Sequence, residues 1–170
     1  YTYKMTKNTK VNAAILIIGN EILSGRTQDT NTVTLATWLN SIGVKVNEVR
    51  VIPDNEKIIV DTLNILRKEN SYVFTTGGIG PTHDDITASS VSKAFNLKYE
   101  IHEEAFKILK AYYKPGEFNE GRQKMVWMPK NAELILNPTS GAPGFSINNV
   151  FCLPGVPSIL KSMLGGLKNK

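Results

Sequence analysis

The sequence predicts an α/β fold, a three-layer α/β/α sandwich built on a mostly parallel sheet. Three observations carry that expectation. Strand-sized apolar runs alternate with segments of helical apolar spacing, three times in succession. The first run, Ala13-Ala14-Ile15-Leu16-Ile17-Ile18, is apolar throughout, as a strand covered on both faces must be. Each run ends in a turn-rich loop, at the edge where parallel sheets gather their binding sites.

The elements follow in chain order. Residues 13–18 form the first strand, ended by Gly19-Asn20-Glu21, and residues 20–29 read as a polar, turn-rich loop. From Asn31 to Ile42, Val33, Leu35, Ala36, Trp38, Leu39 and Ile42 recur at helical spacing, and Gly43 stands where a C-cap glycine belongs. Val44 to Ile52 carries the β-branched signal of a second strand, broken by Pro53-Asp54-Asn55. Ile58, Ile59, Leu63 and Leu66 form the apolar face of a second helix. Tyr72 to Thr75 is the third strand and Thr87 to Phe95 the third helix.

The last third is less regular. A helix is expected over Glu103–Tyr113, broken by Pro115-Gly116, then a short helix over Asn119–Met125. Leu134–Leu136 reads as a short strand and residues 137–144 as a loop. Phe145–Ile147 and Val150–Leu153 flank Asn148-Asn149 as a hairpin, and a final helix runs from Ile159 to Leu167. One domain over residues 13–167 is expected, with residues 1–12 a disordered or added tail.

Composition narrows the function classes. With 41% hydrophobic and 21% charged residues, the 170-residue chain is globular rather than disordered. No apolar run approaches the roughly 20 residues of a membrane helix, so no membrane association is expected. The polar, lysine-bearing start lacks the apolar core of a secretory signal, and the single cysteine, Cys152, sits in an apolar run. A buried thiol and a cytoplasmic setting follow as expectations. The net charge of +5 suits an anionic ligand. The lysines are dispersed, without an Arg-rich stripe or interleaved aromatics, so nucleic acid is not the expected partner.

The chemistry concentrates in Thr75–Thr87, TTGGIGPTHDDIT. A Walker A loop would end in Gly-Lys-Ser/Thr, and this one has no lysine. A dinucleotide fingerprint would place a third glycine after Gly78-Ile79-Gly80, where Pro81-Thr82-His83 stand. The physics of a glycine turn opening a helix remains: free N–H groups and a helix N-terminus, both suited to an anion. Asp84 or Asp85 would serve as N-cap to the helix near Thr87. Two adjacent aspartates exceed one cap, and the second would hold a divalent cation or orient a substrate hydroxyl. His83 is either a proton carrier or a solvated loop residue. Glu21 and Asp54 follow the first two strands and add acidic groups at the same edge. Ser140–Gly144 and Pro154–Ser158 are further glycine–proline turns, the second with Pro157 placed for a first helical turn.

In order along the chain, Ile18–Gly25, Gln28–Asn31, Val51–Asp54, Thr75–Thr87, Asn137–Gly144 and Leu153–Ser158 resemble the molybdopterin-binding domain of molybdenum-cofactor biosynthesis proteins of the MogA and MoaB type. The resemblance is strongest to the N-terminal domain of competence/damage-inducible protein A (CinA) and extends to eukaryotic FAD synthases. It implies a molybdopterin-binding-domain-like fold and a small phosphorylated ligand, a pterin such as molybdopterin or a nucleotide. It also implies a homo-oligomer, dimer or trimer.

The activity implied for CinA-like members is metal-dependent nucleotide pyrophosphatase chemistry on the ADP-ribose or FAD class. The alternatives are a non-catalytic molybdopterin-binding module and molybdopterin adenylyl transfer. His83-Asp84 stands where MogA-like loops carry a basic residue, which disfavours the last. Carried over by motif from the MogA-like aspartates, Asp54 and Asp85 are the expected catalytic positions, and the adjacent pair Asp84 and Asp85 is the expected ligand set for Mg, Mn or Co. Ligand contacts are expected from Gly19 and Glu21, from Thr76, Gly77, Gly78, Gly80, Pro81 and Thr82, and from Ser140, Gly141, Pro154 and Gly155.

Overall fold

The computed structural model of the chain describes residues 11–167. Of the expected tail, residues 1–10 lie outside the described residues, and Asn12 already opens the first strand. Among the described residues there are eight strands: β1 (Asn12–Ile18), β2 (Lys45–Ile52), β3 (Tyr72–Thr76), β4 (Tyr99–Ile101), β5 (Trp127–Pro129), β6 (Glu133–Ile135), β7 (Gly144–Ile147) and β8 (Val150–Leu153). The helices are α1 (Asn20–Leu23), α2 (Asn31–Ser41), α3 (Glu56–Glu69), α4 (Thr87–Ala94), α5 (Glu103–Tyr112), α6 (Glu120–Gln123) and α7 (Pro157–Leu167), with a 3-10 turn at Lys124–Val126.

The main sheet has six strands in the order β2-β1-β3-β8-β7-β6. β1 pairs in parallel with β2 and β3, and β3 in parallel with β8, so four strands end at one edge. β6 and β7 complete the sheet antiparallel. The apolar run of β1 is explained by helices on both faces. Ala14, Leu16 and Ile18 pack with Ile59, Leu63 and Leu66 of α3 and Val91 of α4. Ala13, Ile15 and Ile17 pack with Leu35 and Leu39 of α2 and Leu160, Met163 and Leu164 of α7. The alternation of side chains along a strand sends them to the two helical layers. Truncating one of these leucines to alanine would cost about 2–5 kcal/mol.

Caps set the helix starts. Asn55 accepts from the Ile58 amide at 3.1 Å, and Glu56 with Arg67 and Lys68 complements the dipole of α3. His102 caps α5, its Nδ1 accepting from the Ala105 amide at 3.2 Å. That bond places the ring proton on Nε2, which lies 3.1 Å from the Ala132 carbonyl.

Three departures from the sequence expectations have physical causes. Residues 20–29 are not wholly loop, because Asn20–Leu23 closes one helical turn, with the Ser24 amide on the Asn20 carbonyl at 2.9 Å. The segment 119–126 splits into α6 and a 3-10 turn. An unexpected antiparallel pair, β4 with β5, joins Tyr99 to Pro129 and Ile101 to Trp127. Strands of three residues are too short to display a period, and Pro129 argues against a strand from sequence.

At the carboxyl edge the chain crowds. Gly77 has φ +96°, and a Cβ there would sit 2.1 Å from the Ile18 carbonyl oxygen. Gly77→Ala should therefore lower stability by about 3 kcal/mol or more. Gly43→Ala, also at positive φ but with open space around it, should cost only about 1 kcal/mol. Comparable shifts of the two urea midpoints would refute this account. Cys152 is fully buried, and burial pushes its thiol up to about 12. Its reaction with a thiol reagent at about pH 8 should wait for unfolding.

Candidate functional site

Four strand-end loops meet at the carboxyl edge, and each is tied to a neighbour. After β1, the Gly19 amide bonds the Ile52 carbonyl at 3.0 Å. The Asn20 amide donates to Asp54 Oδ2 and the Asp54 amide to Asn20 Oδ1, both at 3.2 Å. After β3, the Gly77 amide bonds the Leu153 carbonyl at 3.0 Å, and Gly155 packs so that a Cβ would stand 3.3 Å from Gly77 Cα.

The glycine loop turns sharply. Gly77 and Gly78 both have positive φ, and a Cβ on Gly78 would fall 2.0 Å from Thr87 Oγ1. Thr87 locks the turn, its hydroxyl on the Gly77 carbonyl and its amide on the Gly78 carbonyl, each at 2.9 Å. The amides of Gly78, Ile79 and Gly80 donate to no protein acceptor among the described residues. They line a cavity of about 540 Å³ together with Thr76, Pro81 and Asp85.

Neither aspartate caps the helix, contrary to the sequence expectation. α4 starts after Ile86 without a side-chain cap. Asp85 turns back instead, its Oδ2 accepting from the Thr82 amide at 2.9 Å and the Thr82 hydroxyl at 2.8 Å. In so tight a turn the Thr82 donors are closer at hand than the amides of the next helix. Oδ1 has no partner among the described residues, and Asp85 is half-buried on the cavity wall. Asp84 is exposed and lies beside His83 at 3.4 Å, both turned to solvent.

The remaining expected contacts divide. Glu21, Ser140, Pro154 and Gly155 line the cavity. Gly19 lies behind the Glu21 carboxylate, and Gly141 is pressed against the Tyr112 ring. Thr82 holds Asp85 rather than lining the cavity, and Asp54, bonded by the Asn20 amide, does not line it either. Burial raises the Asp54 carboxyl above its usual range. The Asn20 amide opposes that rise, and the charges of Glu21, Asp85 and Asp84 add to it. These acids feel one another across the edge. Among the described residues, though, no three His, Cys, Asp or Glu side chains converge to hold an ion.

Sequence reasoning missed two contributors. Lys124, from the 3-10 turn, donates to the Asp85 carbonyl at 2.6 Å and to the Thr82 carbonyl. It supplies the cation that the glycine loop itself lacks. Asn31, at the start of α2, lines the cavity and donates to the Gly155 carbonyl at 2.9 Å. Lys124 carries no local signal; Asn31 lies in the Gln28–Asn31 motif, but its contact with the Gly155 loop, far away in sequence, was not foreseen. Asp29, whose Oδ1 accepts from the Asn31 and Thr32 amides at 3.0 and 3.2 Å, fixes where α2 begins. An Asp two residues before a helix start was the signal available for that cap.

The chain has relatives among known proteins. The sequence profile of the family described as "Probable molybdopterin binding domain" matches residues 14–169. A CinA-like protein of Geotalea uraniireducens is 38% identical over 157 residues, covering 89% of this chain and 37% of that protein. A protein of Archaeoglobus fulgidus is 37% identical over 148 residues, 87% of this chain and 63% of its own length. The chain thus spans less than two thirds of either relative. The solved CinA structure of Thermoplasma acidophilum superposes with a TM-score of 0.86 at 31% identity, covering 93% of this chain and 97% of that one. The tungsten cofactor synthesizing protein MoaB of Pyrococcus furiosus has a TM-score of 0.60 at 19% identity, over 95% of this chain and 92% of its own, a likeness of fold. The chain belongs to the molybdopterin-binding-domain family, and its sequence and fold are similar to those of CinA.

Proposed function

We propose that the cavity binds the phosphates of a pterin or nucleotide, and that the chain hydrolyses a nucleotide pyrophosphate of the ADP-ribose or FAD class. The observation that carries the reading is that Gly78, Ile79 and Gly80, whose amides have no protein acceptor among the described residues, line a cavity whose wall also holds Asp85. Loop N–H groups free of protein acceptors at a cavity wall suit an anion, and a phosphate oxygen is a natural complement. The description of the family points to a pterin, and the cavity volume accommodates either ligand class.

A divalent cation fits this site only together with its ligand. Mg, Mn or Co would take one or two carboxylates, from Asp85 with Asp84 or Asp54, and complete its shell with phosphate oxygens and water. When bound, it would neutralise charge on the phosphoryl oxygens. The chain's own residues do the rest. The glycine amides hold the phosphate. Thr82 fixes Asp85 Oδ2, so that Oδ1 can orient a water and take its proton as the water oxygen attacks phosphorus and the bridging P–O bond breaks. Lys124 holds the loop backbone under Asp85.

A second reading, binding without turnover, is favoured by one observation: Asp84 faces solvent beside His83 instead of joining Asp85. Incubation with ADP-ribose, FAD or NAD and each metal, scored for AMP release, separates the two. Turnover is expected, and Asp85→Asn should reduce it by about 100-fold or more while the fold persists. Phosphate-ligand binding without AMP release under any metal selects the second reading, and undiminished turnover in Asp85→Asn removes Asp85 from the mechanism.

The Asp54 carboxyl yields a pH prediction. Its folded pKa lies above its ordinary value of 3.8, so the ionised form costs stability above the folded pKa. As pH falls through the folded pKa, that cost is relieved. Asp54→Asn should therefore stabilise the fold at neutral pH, and the gain should fade in the acid range just above the ordinary carboxylate value. A pH-independent difference between the two unfolding curves would contradict the shift.

A further inference from the structure

We infer that β2 is the contact between two copies of this chain. A partner's β2 pairs with it antiparallel about a two-fold axis through Val49, with Arg50 of each protomer opposite Glu48 of the other. The inference does not rest on the phosphate reading above.

β2 is an outer strand of the main sheet, and among the described residues it pairs on one side only, with β1. Its own bonds show which backbone groups face outward. The Ile52 carbonyl accepts from the Gly19 amide at 3.0 Å, so the backbone groups of Ile52 point towards β1. Along a strand that direction alternates. Those of Arg50 and Glu48 therefore point inward as well, and those of Val51 and Val49 point outward. The Lys45 amide, on the Val11 carbonyl at 3.1 Å, points inward again. The odd step from Lys45 to Glu48 is taken up by a bulge at Asn47, where the register with β1 shifts. Val49 and Val51 thus present N–H and C=O groups that no strand takes up among the described residues.

Charge decides what can pair there. Glu48 and Arg50 are ion-paired with each other and partly exposed. Directly opposite side chains share a face, so a two-fold axis normal to the sheet passes through a residue facing its own copy. Centred on Glu48 or Arg50, the axis sets like charges opposite each other. Centred on Val51, it leaves both charges unmatched and sets Val49 against Pro53, which has no N–H. Centred on Val49, it sets Arg50 opposite Glu48 twice and lets the two Val49 residues exchange a pair of hydrogen bonds. The strand is complementary to itself in this register alone, as a two-fold contact requires. Apolar side chains flank the axis: Val49 itself, and Ile58 and Ile65 of α3, all exposed. Ile58, Ile65 and Glu69 follow at steps of seven and four, which is one side of a helix. Glu69 marks that side as the one beside β2. The Arg50 guanidinium is raised chiefly by its hydrogen bond to Glu48, and the charge of Glu69 adds to the rise.

Sedimentation equilibrium of the chain at concentrations up to about 100 μM tests the contact. A wild-type dimer is expected. Arg50→Glu sets glutamates opposite each other at both ends of the contact and should weaken the dimer about tenfold or more. The double variant Glu48→Arg, Arg50→Glu restores opposite charges and should return the affinity to within about threefold of wild type. Val49→Pro removes an amide that the sheet itself does not use, and should abolish the dimer while the chain stays folded. A monomeric wild type overturns the inference, as does a trimer, which a two-fold contact cannot build. A dimer indifferent to Arg50→Glu, or one that the double variant fails to restore, overturns it equally. Should Val49→Pro unfold, the two charge variants decide the matter alone.

Discussion

The site depends on the absence of a side chain at Gly77. There the third strand's end is pressed between the Ile18 carbonyl of its neighbour and the Gly155 turn of the next strand. Its amide is spent on Leu153 and its carbonyl on the Thr87 hydroxyl. With both groups of Gly77 committed, the chain must turn at Gly78, whose positive φ carries it away from the sheet. The next amides are left without protein acceptors. A glycine that satisfies itself so completely is what leaves its successors free.

The electrostatics of the edge follow from the same crowding. Asp85 is drawn onto Thr82, Asp54 onto Asn20, and the Glu21 carboxylate lies over Gly19. These acids do not merge into a preformed metal cage. The negative charge of Glu21, Asp85 and Asp84 helps to raise the Asp54 carboxyl, behind the larger effect of its burial. Lys124 reaches in under the loop and donates to the Asp85 and Thr82 carbonyls, which stiffens the turn and brings positive charge close to Asp85. A phosphate entering this cavity would meet the glycine loop together with the restrained Asp85 carboxylate, which lies against Gly80. That arrangement suits a ligand that brings its own cation better than a metal site filled in advance.

Much of the fold is legible in the sequence because its core obeys simple periods. The unbroken apolar run of β1 reflects helices on both faces, and the spacing of Ile59, Leu63 and Leu66 gives α3. The glycine loop is legible because its composition has few other uses. The β4–β5 pair is hidden by its length, three residues in each strand. The capping expectation for Asp84 and Asp85 fails because a local rule met a nearer competitor, the two donors of Thr82. The contacts of Lys124 and Asn31 are hidden in sequence for another reason. Each contributes through a contact with a loop 39 or 124 residues away, and no window of sequence contains both partners.

The central claim is that the Gly78–Gly80 amides receive a phosphate. A titration of the 15N-labelled chain with inorganic pyrophosphate tests it at the atoms concerned. The account predicts that the amide resonances of Gly78, Ile79 and Gly80 shift first and saturate together, with Gly155 following. Shifts scattered over the surface lysines, with the glycine loop unmoved, would contradict it.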